Sequence, residues 1–526
     1  MRRPLTALAV VVLLAGPTAL AFFTGGYFEG PRLTAGITAA AIAALAALIA
    51  PRVLPQSRSG RIAIAGMVLL VAWVGVSIAW APVRQDAYGD FERLVMYLAV
   101  LVCAAALLRG RAALSAVEPA LAMGAAIVVT YGLSERLLPG VLHFQRSLGA
   151  AGRLEQPLTY WNAMGALAAM GMVLCARLAG DATRAVALRT GAVVAAAPLG
   201  TGFYLTLSRG AYGALIAGLL TLVFLSPTRS QLRGAALVLL TAAVPALVAG
   251  NLGSVQTLHG TLAHREAQGG LALAVLVAAA LAGGVATILI ARSEHAGRLR
   301  TAAVALPRRA LLGAAVPIVV LGLIALGGLV QERHKVTTYL TPAANSQRLV
   351  SLTNDRYAYW GVALDAFAAH PLNGVGSGGF REEWLARRTL PENARDAHSL
   401  YIETAGELGL VGLLVLAVLI AGVAGSARSA ARVYPVRAPG MIAAVVAFAM
   451  HAGLDWDWEM PAVSLVAILL MGALVALGDL PPSLPTTHRG LRRRESRPTA
   501  QPVPETVALH SLRAPTPARR PPAPRR

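Results

Sequence analysis

Charged residues are scarce in this chain. Only 13% of its 526 residues are Asp, Glu, Lys or Arg, whereas 56% are hydrophobic. Soluble domains carry about 25% charged residues, so this composition excludes a soluble globule. Apolar runs of the length that a helix needs to cross a bilayer recur along the chain. We therefore predict an all-α polytopic membrane protein.

About fourteen transmembrane helices are expected from these runs. They lie at about 5–24, 33–50, 62–81, 94–108, 113–132, 159–176, 190–207, 210–226, 234–250, 269–291, 311–330, 400–424, 438–452 and 461–478.

Cysteine and nucleotide-binding motifs are also lacking. The two cysteines, Cys103 and Cys175, lie in apolar runs, and no CxxC pair or His/Cys ligand spacing accompanies them. This excludes a disulfide framework and gives no ground for a zinc site. Neither a P-loop nor a GxGxxG after a strand is found. We expect no metal, no cofactor and no energy from a bound nucleotide.

Arginine placement predicts the orientation of the helices. With the N-terminus inside, the short inner loops carry 18 basic residues and the short outer connections carry 8, as the positive-inside rule requires. Arg2 and Arg3 before an apolar core, with "ALA" at 19–21, also resemble a cleavable signal. We favour an uncleaved first helix in the cytoplasmic membrane, with both termini cytoplasmic.

Four regions follow from this topology. They are an N-terminal bundle of about eleven helices (1–330), an extracytoplasmic loop (331–399), the C-terminal helices (400–478) and a disordered cytoplasmic tail (479–526). The tail holds 11 of the 31 prolines and 10 arginines, with little to bury. Because inner loops and tail carry much of the net charge of +21, we interpret it as contact with anionic membrane lipids and not as nucleic-acid binding.

The long loop contains its own helical pattern. "TNDRYAYWGVALDAFAAHP" predicts a short helix with Thr353 or Asn354 as N-cap and a stop before Pro371. A glycine-rich turn, "NGVGSGGF", follows. The next stretch brings His398 to the start of the run at 400–424. An ionisable side chain is therefore expected at the membrane–water interface.

Three stretches together resemble the O-antigen ligase and Wzy-type polysaccharide polymerase family. The first runs from Arg356 through "HPLNGVGSGGF" to "HSLYIETAGELGLVGLL", and the second is "LTLSRGAYGAL". The third, "GRLEQPLTYWNAMGAL", is similar to the family's Arg-to-Asn segment. The resemblance covers roughly 60–480 and is strongest over 350–415. It implies a multi-spanning glycosyltransferase that takes glycan from a polyprenyl-pyrophosphate donor without a metal.

The resemblance implies roles for individual residues. Transfer breaks the bond between the anomeric carbon and the pyrophosphate, and Arg209, Arg356 and Arg153 are expected to bind the phosphates. His398 is expected to take the proton of the acceptor hydroxyl, with Asn162 as a supporting position. Simpler interpretations stay open: an arginine at a helix boundary also anchors the chain to headgroups, and a histidine there is often only a polar interfacial residue.

Carboxylates crowd the same predicted face. "HAGLDWDWEMPA" places Asp455 and Asp457 beside Trp456, which suggests either sugar recognition or a membrane-interface belt. Asp455 is also a candidate to orient a catalytic arginine or histidine. Glu403 is a candidate to support His398, or else it only bonds neighbouring helices.

Two other functions remain open. A transporter needs ionisable groups near the bilayer midplane, where this sequence is nearly empty of them. A non-catalytic protein of cell-envelope assembly has mild support from the tail. For the enzyme, the acceptor is another glycan, a lipid or a wall polymer, and sequence does not decide between them.

Overall fold

The computed structural model describes residues 2–302, 356–388 and 390–481. The predicted run at 311–330, the N-cap at Thr353 or Asn354 and nearly all of the predicted tail lie outside these residues.

The described residues form sixteen α-helices, numbered here in chain order. They are α1 Arg2–Ala21, α2 Glu29–Ile49, α3 Arg58–Ser77, α4 Arg84–Leu107, α5 Arg111–Leu137, α6 Trp161–Gly180, α7 Val186–Leu205, α8 Arg209–Leu225, α9 Arg229–Asn251, α10 Gly253–Thr257, α11 Leu262–His295, α12 Arg356–Ala369, α13 Phe380–Arg387, α14 Leu400–Val433, α15 Ala438–Ala452 and α16 Pro461–Gly478. No β-strand occurs within these parts of the chain.

Backbone N–H and C=O groups in lipid must form hydrogen bonds within the protein, and an α-helix does this within a single segment. The apolar runs accordingly form helices. Thirteen of the fourteen predicted runs overlap a helix. Within the described residues, ten helices are long and apolar enough to cross a membrane, and α8 and α15 are shorter apolar helices. The polytopic, all-helical class is therefore confirmed. The number fourteen stays a prediction.

The centre of the bundle is formed by α6 and α16. The most apolar window of α6 is 100% buried and that of α16 is 89% buried, whereas the windows of α2 and α11 are 22% buried. Small residues allow the close approach. A Cβ atom on Gly180 would lie 2.6 Å from the Gln231 Cα of α9, and one on Gly234 would lie 2.4 Å from the Gly180 nitrogen.

The helix ends gather at two polar ends of the bundle. At one end, Trp456 after α15 packs against Tyr27 after α1, with ring centroids 5.4 Å apart. At the other, Asp479 after α16 accepts a hydrogen bond from the Ser57 amide before α3, over 2.6 Å. We call the first the site end and the second the opposite end. The alternation matches the predicted up-and-down order of the helices.

The glycine-rich turn is held against α14. Gly409 has a φ of 66°, which breaks the helical geometry inside α14, and a Cβ there would lie 2.4 Å from the Leu372 carbonyl carbon. The Val375 amide donates to the Gly406 carbonyl over 3.0 Å, and the Gly376 amide donates to the Glu407 carbonyl over 2.8 Å. The first turns of α14, which follow His398, are thereby anchored to the connection between α12 and α13.

The predicted helix after Asn354 is present as α12 and ends before Pro371, as expected. Its buried face includes Tyr359, Trp360 and Ala363. Tyr357 and Leu364 pack against the same cluster, and the helix packs on α14 and α13.

Candidate active site

His398 lies in a constrained segment directly before α14. Its φ is +57°, a left-handed conformation that is uncommon for a residue with a side chain. The Ala397 amide donates to the Glu403 carboxylate over 2.6 Å, and Ser399 caps α14 by accepting from the Ile402 amide. Glu403 therefore acts on His398 through the backbone beside it and not through the imidazole.

The imidazole has a defined tautomer. Nδ1 of His398 lies 2.9 Å from the Asp396 carbonyl oxygen. Since a carbonyl can only accept, we assign the proton of the neutral ring to Nδ1, which leaves the lone pair on Nε2. Burial lowers the pKa of His398; Asp455 opposes this and Arg356 adds to it. The ring is therefore neutral at physiological pH, the form that a general base requires.

Asp455 connects the predicted residues. Its side chain is 1% exposed and pairs with the guanidinium of Arg356, the first residue of α12. The Tyr160 hydroxyl donates to Asp455 over 2.6 Å, and the Asn162 amide donates to that hydroxyl over 2.8 Å. Burial alone would raise the pKa of Asp455, but Arg356 and the nearby histidines hold it below its usual value. The carboxylate thus stays ionised and orients the arginine.

Aromatic rings surround this group. The His398 ring lies 5.0 Å from the Tyr359 ring and 6.4 Å from the Trp456 ring, centroid to centroid. Trp456 also packs on Tyr160 at 4.3 Å. One cluster at the site end thus joins α12, the α5–α6 loop, the α15–α16 loop and the start of α14.

The turn before α8 packs near a second buried pair, His451 and Asp457. Ser208 caps α8 by accepting from the Ala211 amide, and Arg209 is the first helical residue. A Cβ on Gly210 would lie 3.2 Å from Nε2 of His451. His451 is fully buried, and its Nδ1 pairs with Asp457. The backbone of the predicted Arg209 site is therefore close to the α15–α16 loop that carries Asp455.

His451 was not predicted as a functional residue. It lies one turn before Asp455 in the stretch "HAGLDWDWEMPA" and is the one ionisable side chain of α15. A lone histidine inside a short apolar helix was the available signal.

Arg153 has a different environment. Its guanidinium lies 3.5 Å from the centroid of the Trp161 ring, and its Nε donates to the Ala150 carbonyl over 2.7 Å. The side chain is 7% exposed. These contacts hold the loop between α5 and α6 against the start of α6, beside Tyr160 and Asn162.

The acidic residues of the α15–α16 loop face three different partners. Asp455 pairs with Arg356, Asp457 pairs with His451, and Glu459 pairs with Arg93 of α4. Within the described ranges, no group of three or more His, Cys, Asp or Glu side chains has a geometry that would hold a metal ion.

Residues 270–417 match the family model described as O-antigen ligase. This part of the chain is similar to that family. The match includes Arg356, His398 and Glu403, whereas Arg209, His451 and Asp455 come from segments outside it. It confirms the family resemblance first seen in the motifs. A comparison with curated proteins finds no match.

Proposed function

We propose that this O-antigen ligase-type membrane protein transfers a glycan from a polyprenyl-pyrophosphate donor to a hydroxyl group of an acceptor. The observation that carries the proposal is that the His398 ring lies 6.4 Å from the Trp456 ring, while the adjacent Asp455 pairs with Arg356, where the helices end. A lipid-anchored phosphate and a sugar hydroxyl meet at that depth of a membrane.

The reaction requires one base and one cation. The acceptor oxygen attacks the anomeric carbon while the bond from that carbon to the pyrophosphate oxygen breaks. The proton of the acceptor hydroxyl goes to Nε2 of His398, and the pyrophosphate leaves with the electron pair of the broken bond. A single displacement of this kind inverts the anomeric centre.

Arginine suits the leaving group, since its planar guanidinium keeps its charge and matches phosphate oxygens. Asp455 positions Arg356 through Nη2. We assign Arg209 to the same phosphates, because the next residue, Gly210, packs against His451 at the end of α15 and Leu454 in the α15–α16 loop. Stabilisation of developing charge by such preorganised donors is usually a large part of catalysis.

The placement of charge favours this function over transport. Away from the site end, the ion pairs of the spanning helices include Glu118 with Arg184 and Arg189 with Glu294, at the opposite end. A coupled transporter would be expected to place such groups midway along the helices.

The first experiment compares surface glycan and lipid-linked intermediates in cells with wild-type protein, a deletion, and His398→Ala. His370→Ala is the matched control, because His370 is exposed at the end of α12. We expect His398→Ala, inserted at normal levels, to match the deletion, with less polymer and more lipid-linked glycan. Short accumulated repeats indicate a polymerase, and finished chains indicate a ligase. Wild-type glycan from His398→Ala would refute the assignment.

We also propose that the site end faces away from the cytoplasm. Val141 is 73% exposed at the site end and Leu54 is 59% exposed at the opposite end, and both native cysteines are buried. In intact cells, a membrane-impermeant maleimide should label Val141→Cys, and it should label Leu54→Cys only after permeabilisation. The reverse pattern would overturn this orientation.

A further inference from the structure

A cavity at the site end is lined by Asp396, two residues before His398. Its volume is about 220 Å³. We call it the polar cavity and define it by six of its lining residues: Tyr27, Arg32, Asp90, Arg93, Asp396 and Glu459.

Arg93 is the buried centre of the polar cavity. Its side chain pairs with Asp90 over 3.0 Å and with Glu459, and the residue is 6% exposed. Its Nε has no hydrogen-bond partner within the described parts of the chain, and the same holds for Nε of Arg32. Buried donors are nearly always satisfied in native proteins, so these two N–H groups indicate a ligand with acceptor oxygens.

The charge of the polar cavity disfavours a phosphate. Seven carboxylates and three arginines line it. Burial raises the pKa of Asp396 to about 7 and that of Glu459 to about 8, so these two carboxyls are partly protonated near neutral pH and both donate and accept hydrogen bonds. Such a mixture suits the hydroxyl groups of a neutral or amino sugar.

An apolar groove lies in the membrane-spanning part of the protein, next to the polar cavity. Its volume is about 620 Å³, and α1, α2, α4 and α16 line it. On α2 it extends from Pro31 to Ile42, which is about 16 Å at 1.5 Å per helical residue. That length accommodates an extended hydrocarbon chain.

Three elements carry lining residues of both the polar cavity and the apolar groove, so the two lie next to each other. On α4, Arg93 lines the cavity, and Met96 and Val100 line the groove. These residues are three and seven positions apart and so lie on one face of the helix. On α2, Arg32 lines the cavity and Ala35 lines the groove. Glu459, just before α16, and Leu465 within it repeat the pattern.

We propose that the polar cavity and the apolar groove form one site for a lipid-anchored sugar, which serves as the acceptor. The identification as acceptor rests on the proposed function. Asp396 lines the polar cavity, and its carbonyl accepts the Nδ1 proton of His398. The site therefore borders the segment that carries His398, the proposed base.

The test measures binding directly. The protein, in phosphatidylcholine nanodiscs, is exposed to dodecyl glycosides that carry a diazirine at the end of the chain and glucose, galactose, glucosamine or N-acetylglucosamine as the head. A dodecyl phosphocholine with the same diazirine is the control probe. We expect at least one glycoside to label α1, α2, α4 or α16 in the groove. Excess unlabelled dodecyl glycoside should compete, and the methyl glycoside should not.

A pair of variants tests the apolar groove. Thr38 lines it, whereas Ile37 is 69% exposed on α2 and is not among its lining residues. Both positions are exposed, so both variants should insert normally. Thr38→Phe should reduce glycoside labelling to the level of the phosphocholine probe, and Ile37→Phe should leave it unchanged.

The outcomes separate the alternatives. Equal labelling by the glycosides and the phosphocholine probe would mean that ordinary membrane lipid occupies the groove. Competition by the methyl glycoside as strong as that by the dodecyl glycoside would mean that the site binds a soluble sugar. Either result overturns the proposal. Labelling needs no turnover, so His398→Ala should keep it. If labelling fails while His398→Ala abolishes glycan transfer, only the acceptor site is wrong. If labelling succeeds while His398→Ala makes normal glycan, the proposed function is wrong and the lipid site stands.

Discussion

Replacement of Asp455 by Asn is the most informative single change. The substitution keeps the shape of the side chain and removes its charge. Asp455 is 1% exposed and holds Arg356, the Tyr160 hydroxyl and the Trp456 amide. We expect weaker transfer together with a shift in the pH profile, and the two effects have separate causes.

The loss of rate follows from the ion pair. Removing one partner of a buried pair costs about 3–5 kcal/mol. The Arg356 side chain is 15% exposed, and an Asn oxygen still accepts one bond, so we expect about 2–3 kcal/mol here. If Arg356 stabilises the leaving pyrophosphate, this corresponds to a fall in kcat/KM of about 30- to 150-fold.

The pH shift has a definite sign. Burial lowers the pKa of His398, and the charge of Asp455 partly opposes this. Without that charge, the pKa falls further, because Arg356 still lowers it and only Glu392 and the Asp396 carbonyl oppose it. The neutral ring then persists to lower pH. The acidic limb of the kcat/KM profile should move to lower pH in Asp455→Asn.

The assay measures glycan transfer in membrane vesicles that contain a radiolabelled lipid-linked donor. Asp457→Asn is the matched control, because Asp457 pairs with His451 and is not among the groups that set the pKa of His398. Its acidic limb should match that of the wild type. An Asp455→Asn limb that stays in place or moves to higher pH would refute the role of His398 as base.

Three further predictions concern single contacts. Gly210→Ala should destabilise the protein by about 1–3 kcal/mol, since its Cβ would lie 3.2 Å from Nε2 of His451. Gly213→Ala, whose Cβ has only a 3.6 Å contact, should keep the wild-type melting temperature. Equal melting temperatures of the two variants would contradict the clash at Gly210. Glu407→Ala leaves two amides at the start of α13 unpaired, so thermal unfolding should show a loss of about 2–3 kcal/mol, and an unchanged melting temperature would argue against that cap. Arg356→Lys keeps the positive charge but loses the planar guanidinium. Donor turnover should therefore fall by about tenfold or more, while the acidic limb of the pH profile stays near that of the wild type. Full activity would mean that the charge alone suffices.

The sequence by itself determined the class of the protein. Apolar composition and run length are sufficient for this, because backbone groups in lipid must bond within a helix. Thirteen of the fourteen predicted runs overlap helices for the same reason. The motif around His398 was local enough to indicate a resemblance to the family, and the match over residues 270–417 confirms that resemblance.

The partners of each functional side chain were decided only by tertiary structure. Asp455 had several predicted roles, and its contact with Arg356, 99 residues away in the chain, selects one of them. Trp458, two residues after Trp456, packs on the Tyr97 ring with centroids 5.0 Å apart. Neither contact can be predicted from the spacing of residues along the sequence, because residues from distant helices meet only after the bundle has packed.

The same reason explains the residues that sequence missed. His451 looked like part of an apolar helix until Asp457 and Gly210 were placed around it. The polar cavity is formed by the α1–α2 connection, α4 and the segment before α14. α4 contributes three charged residues and the segment before α14 contributes two, and each of these charges looks ordinary alone. Hydrophobic periodicity tells which residues prefer lipid or protein, but helix packing decides which charges face each other.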